Sequence, residues 1–358
     1  MANLFKDIFA EWQQIENARK ELKERIAQKF MLEFNYNSNH IEGNTLTYGQ
    51  TELLLLFGKV IGDARMRDLE EMKAHNVGLK MVIEEAKENN KPLTETFIRQ
   101  VHKVLLREDY EVHRQLPSGV MSSYVVHAGC YKTRPNSVIT RTGERFEYAS
   151  PEETPALMSD LLLWYNKEVE KRELNPIELA ALFHYRYIRI HPFEDGNGRI
   201  ARLMANFILA RYGYPMVVVP SKTKEIYLDA LNKCDIVVGP VPADGAHATI
   251  MQIRPLVDYL ENLVIYEMKN DITIAKGGNV VQWWYNGEII RFQNETINKI
   301  IEILSSSPKT SIRELVGKVG INKSAIQKHL KLLQEKEYIV RLGSSTRGGE
   351  WHVTLSRL

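Results

Sequence analysis

His191, Asp195, Arg199 and Arg202 fall within one stretch, His-Pro-Phe-Glu-Asp-Gly-Asn-Gly-Arg-Ile-Ala-Arg. These residue types suit phosphate chemistry. His191 is the side chain here whose ordinary pKa suits proton abstraction near neutral pH. Asp195 is a hard oxygen ligand able to hold Mg²⁺ on phosphate oxygens. Arg199 and Arg202, three apart, are neighbours on a helix and can fork onto phosphate. Gly196 and Gly198 allow positive φ, so the loop can turn its N–H groups to one side. Those donors stand where a helix begins and its dipole favours anions. General base, metal ligand and anion cradle describe a phosphoryl- or nucleotidyl-transfer site. The plainer reading is a joint between two helices, the second one capped.

Two periodic stretches must hold this loop. Leu179, Leu182, Phe183 and Ile190 fit a helix that Asn175-Pro176-Ile177-Glu178 would start. Ile200, Leu203, Phe207 and Ile208 fit a second one, closed by Gly213 and Pro215. Further upstream, the spacing of Leu4, Phe5, Ile8, Trp12, Leu22, Ile26 and Phe30 predicts one amphipathic helix over the first 30 or so residues. Ser38 and Glu42 then share a helical face that Gly43 and Asn44 would end; alone, this is an ordinary solvated helix end. Thr47-Tyr48-Gly49-Gln50 reads as a capping box, and Thr94 as a cap for Phe97, Ile98, Val101 and Leu105. From about Tyr110 to Arg141 the helical pattern stops, and extended segments with turns are expected. Helices are predicted to resume at Ser150-Pro151, with a short one capped by Ser221 and another over 248–269. His75, His102 and His113 share no ligand spacing and read as scaffold.

The chain's 358 residues suggest two or three domains, and 44% hydrophobic content is ample for packed cores. A net charge of +2 argues against a general nucleic-acid binder. Cys130 and Cys234 have no metal-ligand spacing and fit a reducing cytoplasm. Lys6, Asp7 and Glu11 interrupt the first apolar residues, so no signal peptide is expected. No run of about 18 apolar residues suggests a membrane span.

The 191–202 stretch also resembles a known signature. His-x-Phe-x-Asp-Gly-Asn-Gly-Arg-x-x-Arg is the pattern of the Fic (Fido) family, matched here at every defining position. The resemblance implies AMP transfer from ATP to a Ser, Thr or Tyr hydroxyl of a protein. It makes His191 the base and Asp195 the Mg²⁺ ligand. Gly196, Asn197, Gly198 and Arg199 would hold the α- and β-phosphates, Arg202 the γ-phosphate, and Phe193 would anchor the loop. Ser38-x-x-x-Glu42-Gly43 is similar to the family's inhibitory helix, with Glu42 withdrawing Arg202 from the γ-phosphate. The resemblance also implies a β-hairpin flap near Gly129–Thr140, with Gly129, Tyr131, Val138 and Ile139 offering an edge to the target. Tyr227 and Asn232 are the candidates beside adenine. Related proteins of this fold move UMP, phosphocholine or phosphate, or remove AMP, and these alternatives stay open.

The last stretch differs in kind. Asn294 caps a helix with Ile297, Ile300, Ile301 and Leu304. Ser311-Ile312-Arg313-Glu314 starts a second, and Gly320-Ile321-Asn322 turns into a third. Two strands around a loop follow, similar to a winged helix-turn-helix. From Asn294 to Leu358 eleven Lys and Arg face six Asp and Glu, a balance of +5. Lys323, Ser324, Gln327, Lys328 and Arg347 are the candidates for DNA contact, with protein docking or a dimer surface as alternatives. The expected organisation is mainly α: 1–109 an N-terminal helical region, 110–270 a core with the flap and catalytic loop, 271–293 a linker with an apolar patch, and 294–358 the winged helix. The expected partners are a protein with an accessible hydroxyl and, through the winged helix, DNA. Self-modification, a homodimer and a nucleotide-sensing DNA-binding regulator are further alternatives. The expected location is the cytoplasm, with no membrane partner.

Overall fold

The computed structural model describes all residues except 1, 17–19, 89, 116–120, 140–144, 277–281, 286–287, 293, 343–348 and 358; beside these segments a few further side chains, those of Val138 and Ile139 among them, lie outside the description. The chain divides into two units, Met1–Asp271 and Ile272–Leu358.

The first unit is built around two helices. Its helices and strands are α1 (Ala2–Glu16), α2 (Lys20–Ile41), α3 (Tyr48–Phe57), α4 (Met66–Lys87), α5 (Glu95–Leu106), β1 (Tyr110–Gln115), β2 (Met121–Val126), β3 (Ser137–Ile139), β4 (Arg145–Glu147), α6 (Thr154–Lys171), α7 (Pro176–Ile190), α8 (Asn197–Arg211), α9 (Lys224–Val238), α10 (Pro242–Ala246) and α11 (Arg254–Ala275), the last running past the unit boundary. α7 and α8 pack on each other, α4 lies against α5 and α8, α6 and α10 against α7, and α2 against α4 and α8. In α8 every residue but Gly198 and Ala210 is buried, the mark of a helix surrounded on all sides. Its polar residues Asn197, Arg199, Arg202 and Asn206 are therefore buried too, and each must find partners.

Local signals set several boundaries as expected. Thr47 and Asn175 form capping boxes with Gln50 and Glu178, and the Thr94 side chain accepts from the Phe97 N–H. Others moved. The expected N-terminal helix is described as α1 and α2, with 17–19 between them outside the described residues, and the segment carrying Ser38 is the end of α2. α6 runs from Thr154, with Ser150 and Glu153 in reciprocal capping-box bonds in the turn that leads into it. Ser221 opens a 3₁₀ turn, and its hydroxyl is engaged by Asn37 rather than capping α9. α11 begins at Arg254, after a turn at Thr249. Between α5 and α6 the chain forms two antiparallel hairpins, β1–β2 and β3–β4.

The second unit holds β5 (Gln282–Tyr285), β6 (Glu288–Arg291), α12 (Glu295–Ser306), α13 (Ile312–Val319), α14 (Lys323–Glu335), β7 (Ile339–Leu342), β8 (Glu350–Val353) and β9 (Ser356–Arg357). The stretch read as a linker thus holds two strands among its described residues. β5 pairs with both β6 and β9, and Trp283 is buried with Ile300, Leu304 and Leu330 while its indole N–H donates to Asn298 at 2.7 Å. A short run of consecutive tryptophans and tyrosine, one of whose strand partners is remote in sequence, is invisible to a helix-period search. β7 and β8 pair as the wing, and the candidate Arg347 lies outside the described residues. No helix among the described residues is long and apolar enough to cross a membrane.

Candidate active site

α7 ends at His191, whose backbone is left-handed (φ 50°, ψ 61°). The chain then turns, and Gly196 (φ 77°) starts α8. Gly198 lies inside the first turn of α8 and is absent from the positive-φ residues, so the expectation for it is corrected. Its missing side chain matters for space: a Cβ there would fall 2.5 Å from Glu42 Oε1 and 3.1 Å from Arg202 Nη1.

The loop is fastened by its own buried side chains. Phe193 is fully buried and stacked on His102 at 3.7 Å. Asn197 Oδ1 accepts from the Phe193 N–H at 3.0 Å, and Asn197 Nδ2 donates to the Phe193 carbonyl at 2.7 Å. The Gly129 N–H donates to His102 Nδ1, so His102 carries its proton on Nε2 and donates it to the Asp195 carbonyl at 3.0 Å. Burial lowers this imidazole to about 4, which keeps it neutral and the tautomer fixed.

His191 is half-buried, with its ring stacked on Tyr148 at 3.9 Å and 14°. Its Nδ1 faces the Ile188 carbonyl at 3.3 Å. A carbonyl only accepts, so the proton belongs on Nδ1 and the Nε2 lone pair is left for a substrate. Burial, then the nearby Lys132 ammonium, lower its pKa to about 3. Asp195 Oδ2 accepts from the Tyr110 hydroxyl at 2.6 Å and lies 3.5 Å from Arg199 Nη2. Burial opposes its charge, but Arg199, Tyr110 and the Gly196 N–H together hold its carboxyl below the usual range. No cluster of three metal-ligating side chains occurs among the described residues. A lone, ionised, half-exposed carboxylate beside a helix N-terminus suits Mg²⁺, which keeps most of its water and takes its other ligands from phosphates.

Arg202 is 4% exposed and is held by Ser38 of α2 and by Glu42 just beyond it. Its Nη2 donates to Glu42 Oε1 at 2.7 Å and to the Ser38 carbonyl at 2.9 Å, and its Nε donates to Ser38 Oγ at 3.0 Å. Ser38 in turn donates to His75 Nε2 at 3.1 Å, because His75 Nδ1 donates to Asn35 Oδ1 at 2.7 Å. Burial keeps the His75 imidazole well below its ordinary pKa and hence neutral. Gly43 (φ 94°) closes the segment, its N–H donating to the His40 carbonyl.

The remaining expectations fare differently. Tyr227 is 4% exposed, its hydroxyl 3.0 Å from His184 Nε2, and it lines a cavity of about 20 Å³ beside Arg202. That space holds about one water and no adenine. Asn232 is exposed on α9. Gly129 and Tyr131 face inward: the Gly129 carbonyl accepts from Arg99, while the Tyr131 hydroxyl donates to Glu95 and its ring meets Phe193. They brace the base of the hairpin and offer no edge. Val138 and Ile139 lie in β3, which pairs with β4, and their side chains are outside the described ones, as is Thr140 altogether. Tyr110, His102, Lys132, Tyr148 and His75 carry no sequence motif that marks them as site residues. Each meets the site across a long sequence interval with no local pattern to mark it.

Comparison with known proteins follows the same lines. The Fic/DOC family model matches residues 92–209, and a winged helix-turn-helix DNA-binding model matches 293–340. A solved Fic domain containing signaling protein from Bacteroides thetaiotaomicron is 53% identical, with a TM-score of 0.72 over 77% of this chain and 97% of that one. The protein adenylyltransferase fic-1 of Caenorhabditis briggsae is 29% identical over 269 residues, 75% of this chain and 46% of its own length. A Fic family protein from Desulfovibrio desulfuricans shares the fold over 98% of this chain and 95% of its own, with a TM-score of 0.51 at 19% identity. The chain spans less than half the length of the curated relatives it matches first. With that solved relative covered almost end to end at 53% identity, and the family's loop built as described, this chain belongs to the Fic/DOC family and carries a winged helix-turn-helix unit.

Proposed function

We propose that this chain transfers AMP from ATP to a Ser, Thr or Tyr hydroxyl of a protein, and that Glu42 restrains the transfer. The observation that carries the reading is His191, its Nδ1 turned to the Ile188 carbonyl, at the turn into an α8 whose Arg202 is held by Glu42. The triphosphate lies over Gly196, Asn197, Gly198 and Arg199, where backbone N–H groups and the helix dipole receive it. His191 takes the proton of the acceptor hydroxyl. The hydroxyl oxygen bonds the α-phosphorus, the bond from that phosphorus to the bridging oxygen breaks, and pyrophosphate leaves. The lowered pKa of His191 keeps it unprotonated at neutral pH, and the negative charge of the bound triphosphate raises its basicity in the complex. Asp195 would hold Mg²⁺, which supplies charge neutralisation on the phosphates when bound. The β3–β4 hairpin offers main-chain pairing to an extended target segment, which holds a hydroxyl without demanding one sequence. Curated relatives are named protein adenylyltransferases, which supports AMP as the group moved.

The test is label transfer from ATP with Mg²⁺, using the unaltered chain, Glu42→Gly, and Glu42→Gly with His191→Ala, each with and without cell lysate. Label from the α-position and not the γ-position is the expected result. Label from the γ-position would mean phosphate transfer and would end this reading.

A second activity is supported by a separate observation. Lys323, Ser324, Gln327 and Lys328 are all exposed on α14, the helix that a winged helix-turn-helix lays in a major groove. The C-terminal unit is a DNA-binding module in this reading.

A further inference from the structure

Lys132 belongs to no motif, yet it is 3% exposed at the foot of the β3–β4 hairpin. Its Nζ donates to the Ile190 carbonyl at 3.1 Å and to Asn136 Oδ1 at 2.8 Å. Its backbone N–H donates to the Pro192 carbonyl at 2.9 Å. One residue thus holds the carbonyls immediately before and after His191. Asn136 extends the grip, its Nδ2 donating to the Phe193 carbonyl at 2.9 Å.

The turn they hold needs support. His191 sits at φ 50°, a left-handed conformation that is strained for a residue with a side chain. The Ile190 carbonyl is among the last of α7 and has no helical partner. A methionine or leucine would be far easier to bury than an ammonium, whose desolvation pushes its pKa down to about 8. What the ammonium offers is three donors diverging from the end of a long stem, which reach two oxygens on different segments at once.

We propose that Lys132 is a positioning residue for the transfer, splinting the left-handed turn so that His191 stays stacked on Tyr148 with Nε2 toward the acceptor hydroxyl. It touches neither nucleotide nor acceptor. Displacing the base by about 1 Å costs on the order of 10²-fold in rate, while the phosphate cradle on α8 is untouched. The rate effect rests on the adenylyl-transfer reading; the placement of His191 does not.

The test is Lys132→Met, which keeps most of the stem, in the Glu42→Gly background. Transfer rate, ATP affinity by calorimetry, melting temperature and the NMR signal of the His191 ring are measured together. The expected result is a fall of about 10²-fold in kcat, ATP affinity within about threefold, and loss of the ring-current shift that Tyr148 imposes on His191. Asn136→Ala should move the same signal by less. The double variant should cost no more than the larger single one, because both act through one turn. A rate within about threefold of the parent, or a reduced rate with the His191 signal unmoved, would overturn the proposal. So would an ATP affinity that falls in step with the rate. If Lys132→Met does not fold, Asn136→Ala carries the same comparison. If the Glu42→Gly parent itself transfers nothing, the adenylyl-transfer reading fails while the His191 signal still decides the role of Lys132.

Discussion

Replacing Glu42 by glycine should raise AMP transfer about 10- to 30-fold, and the figure follows from the surroundings of Arg202. The guanidinium has three described acceptors, of which Glu42 Oε1 is charged and the two oxygens of Ser38 are not. A hydrogen bond to a charged group contributes about 1.5–3 kcal/mol. The Glu42 side chain is 38% exposed, and solvent screening brings its share to the lower end, about 1.5–2 kcal/mol. At about 1.4 kcal/mol per tenfold, a γ-phosphate that no longer competes with this carboxylate gains 10- to 30-fold in productive occupancy. The gain is bounded because Ser38 still holds Arg202. Glu42 follows the last residue of α2, so glycine there breaks no helical turn and the variant should fold. Initial rates of label transfer from α-³²P ATP measure the effect. Glu42→Gln, which keeps a neutral acceptor, should fall between the two. A rise under threefold, or a rise that persists when His191 is also alanine, would refute the inhibitory role.

His191→Ala in the Glu42→Gly background should lower transfer by at least 10²-fold while ATP affinity by calorimetry stays within about threefold; more than a tenth of the parent rate would remove His191 as the principal base. His102 is buried neutral, its pKa depressed from 6.5 to about 4, so the stability it contributes is complete above pH 6.5 and is lost as pH falls toward 4. Over that window the loss is about 3 kcal/mol, and His102→Gln should flatten the fall of melting temperature with pH; an unchanged slope would count against a neutral, buried His102. Lys328→Glu should weaken binding to duplex DNA and reduce its salt slope; an affinity that neither changes nor responds to salt would exclude α14 from the groove.

Much of the site could be read along the chain because its parts are local. His191 through Arg202 spans one turn of loop and the start of one helix, so spacing alone puts the base, carboxylate and two arginines together. Capping at Thr47, Asn175, Ser311 and Asn322 involves residues two or three apart and appears where residue types predict it. The grouping of Ser38 with Glu42 on one helical face is of the same kind.

Tertiary structure decided what those residues meet. Arg202 and Glu42 are 160 residues apart, Tyr110 and Asp195 85, and His102 and Asp195 93. Hydrogen bonds of that span are set by how α2, α5 and the hairpins pack on α7 and α8, which no local period encodes. Tyr227 shows the converse: its aromatic ring suited adenine by type, but burial against His184 leaves it inside the core. The stretch read as a linker became strands because β5 found β9, more than 70 positions later. The chemistry of the loop follows from the order of its residues alone, since residue type and near-neighbour spacing are local properties. Only the fold decided which protonation states, tautomers and contacts that chemistry works with, since burial and long-range hydrogen bonds exist only once the chain has packed.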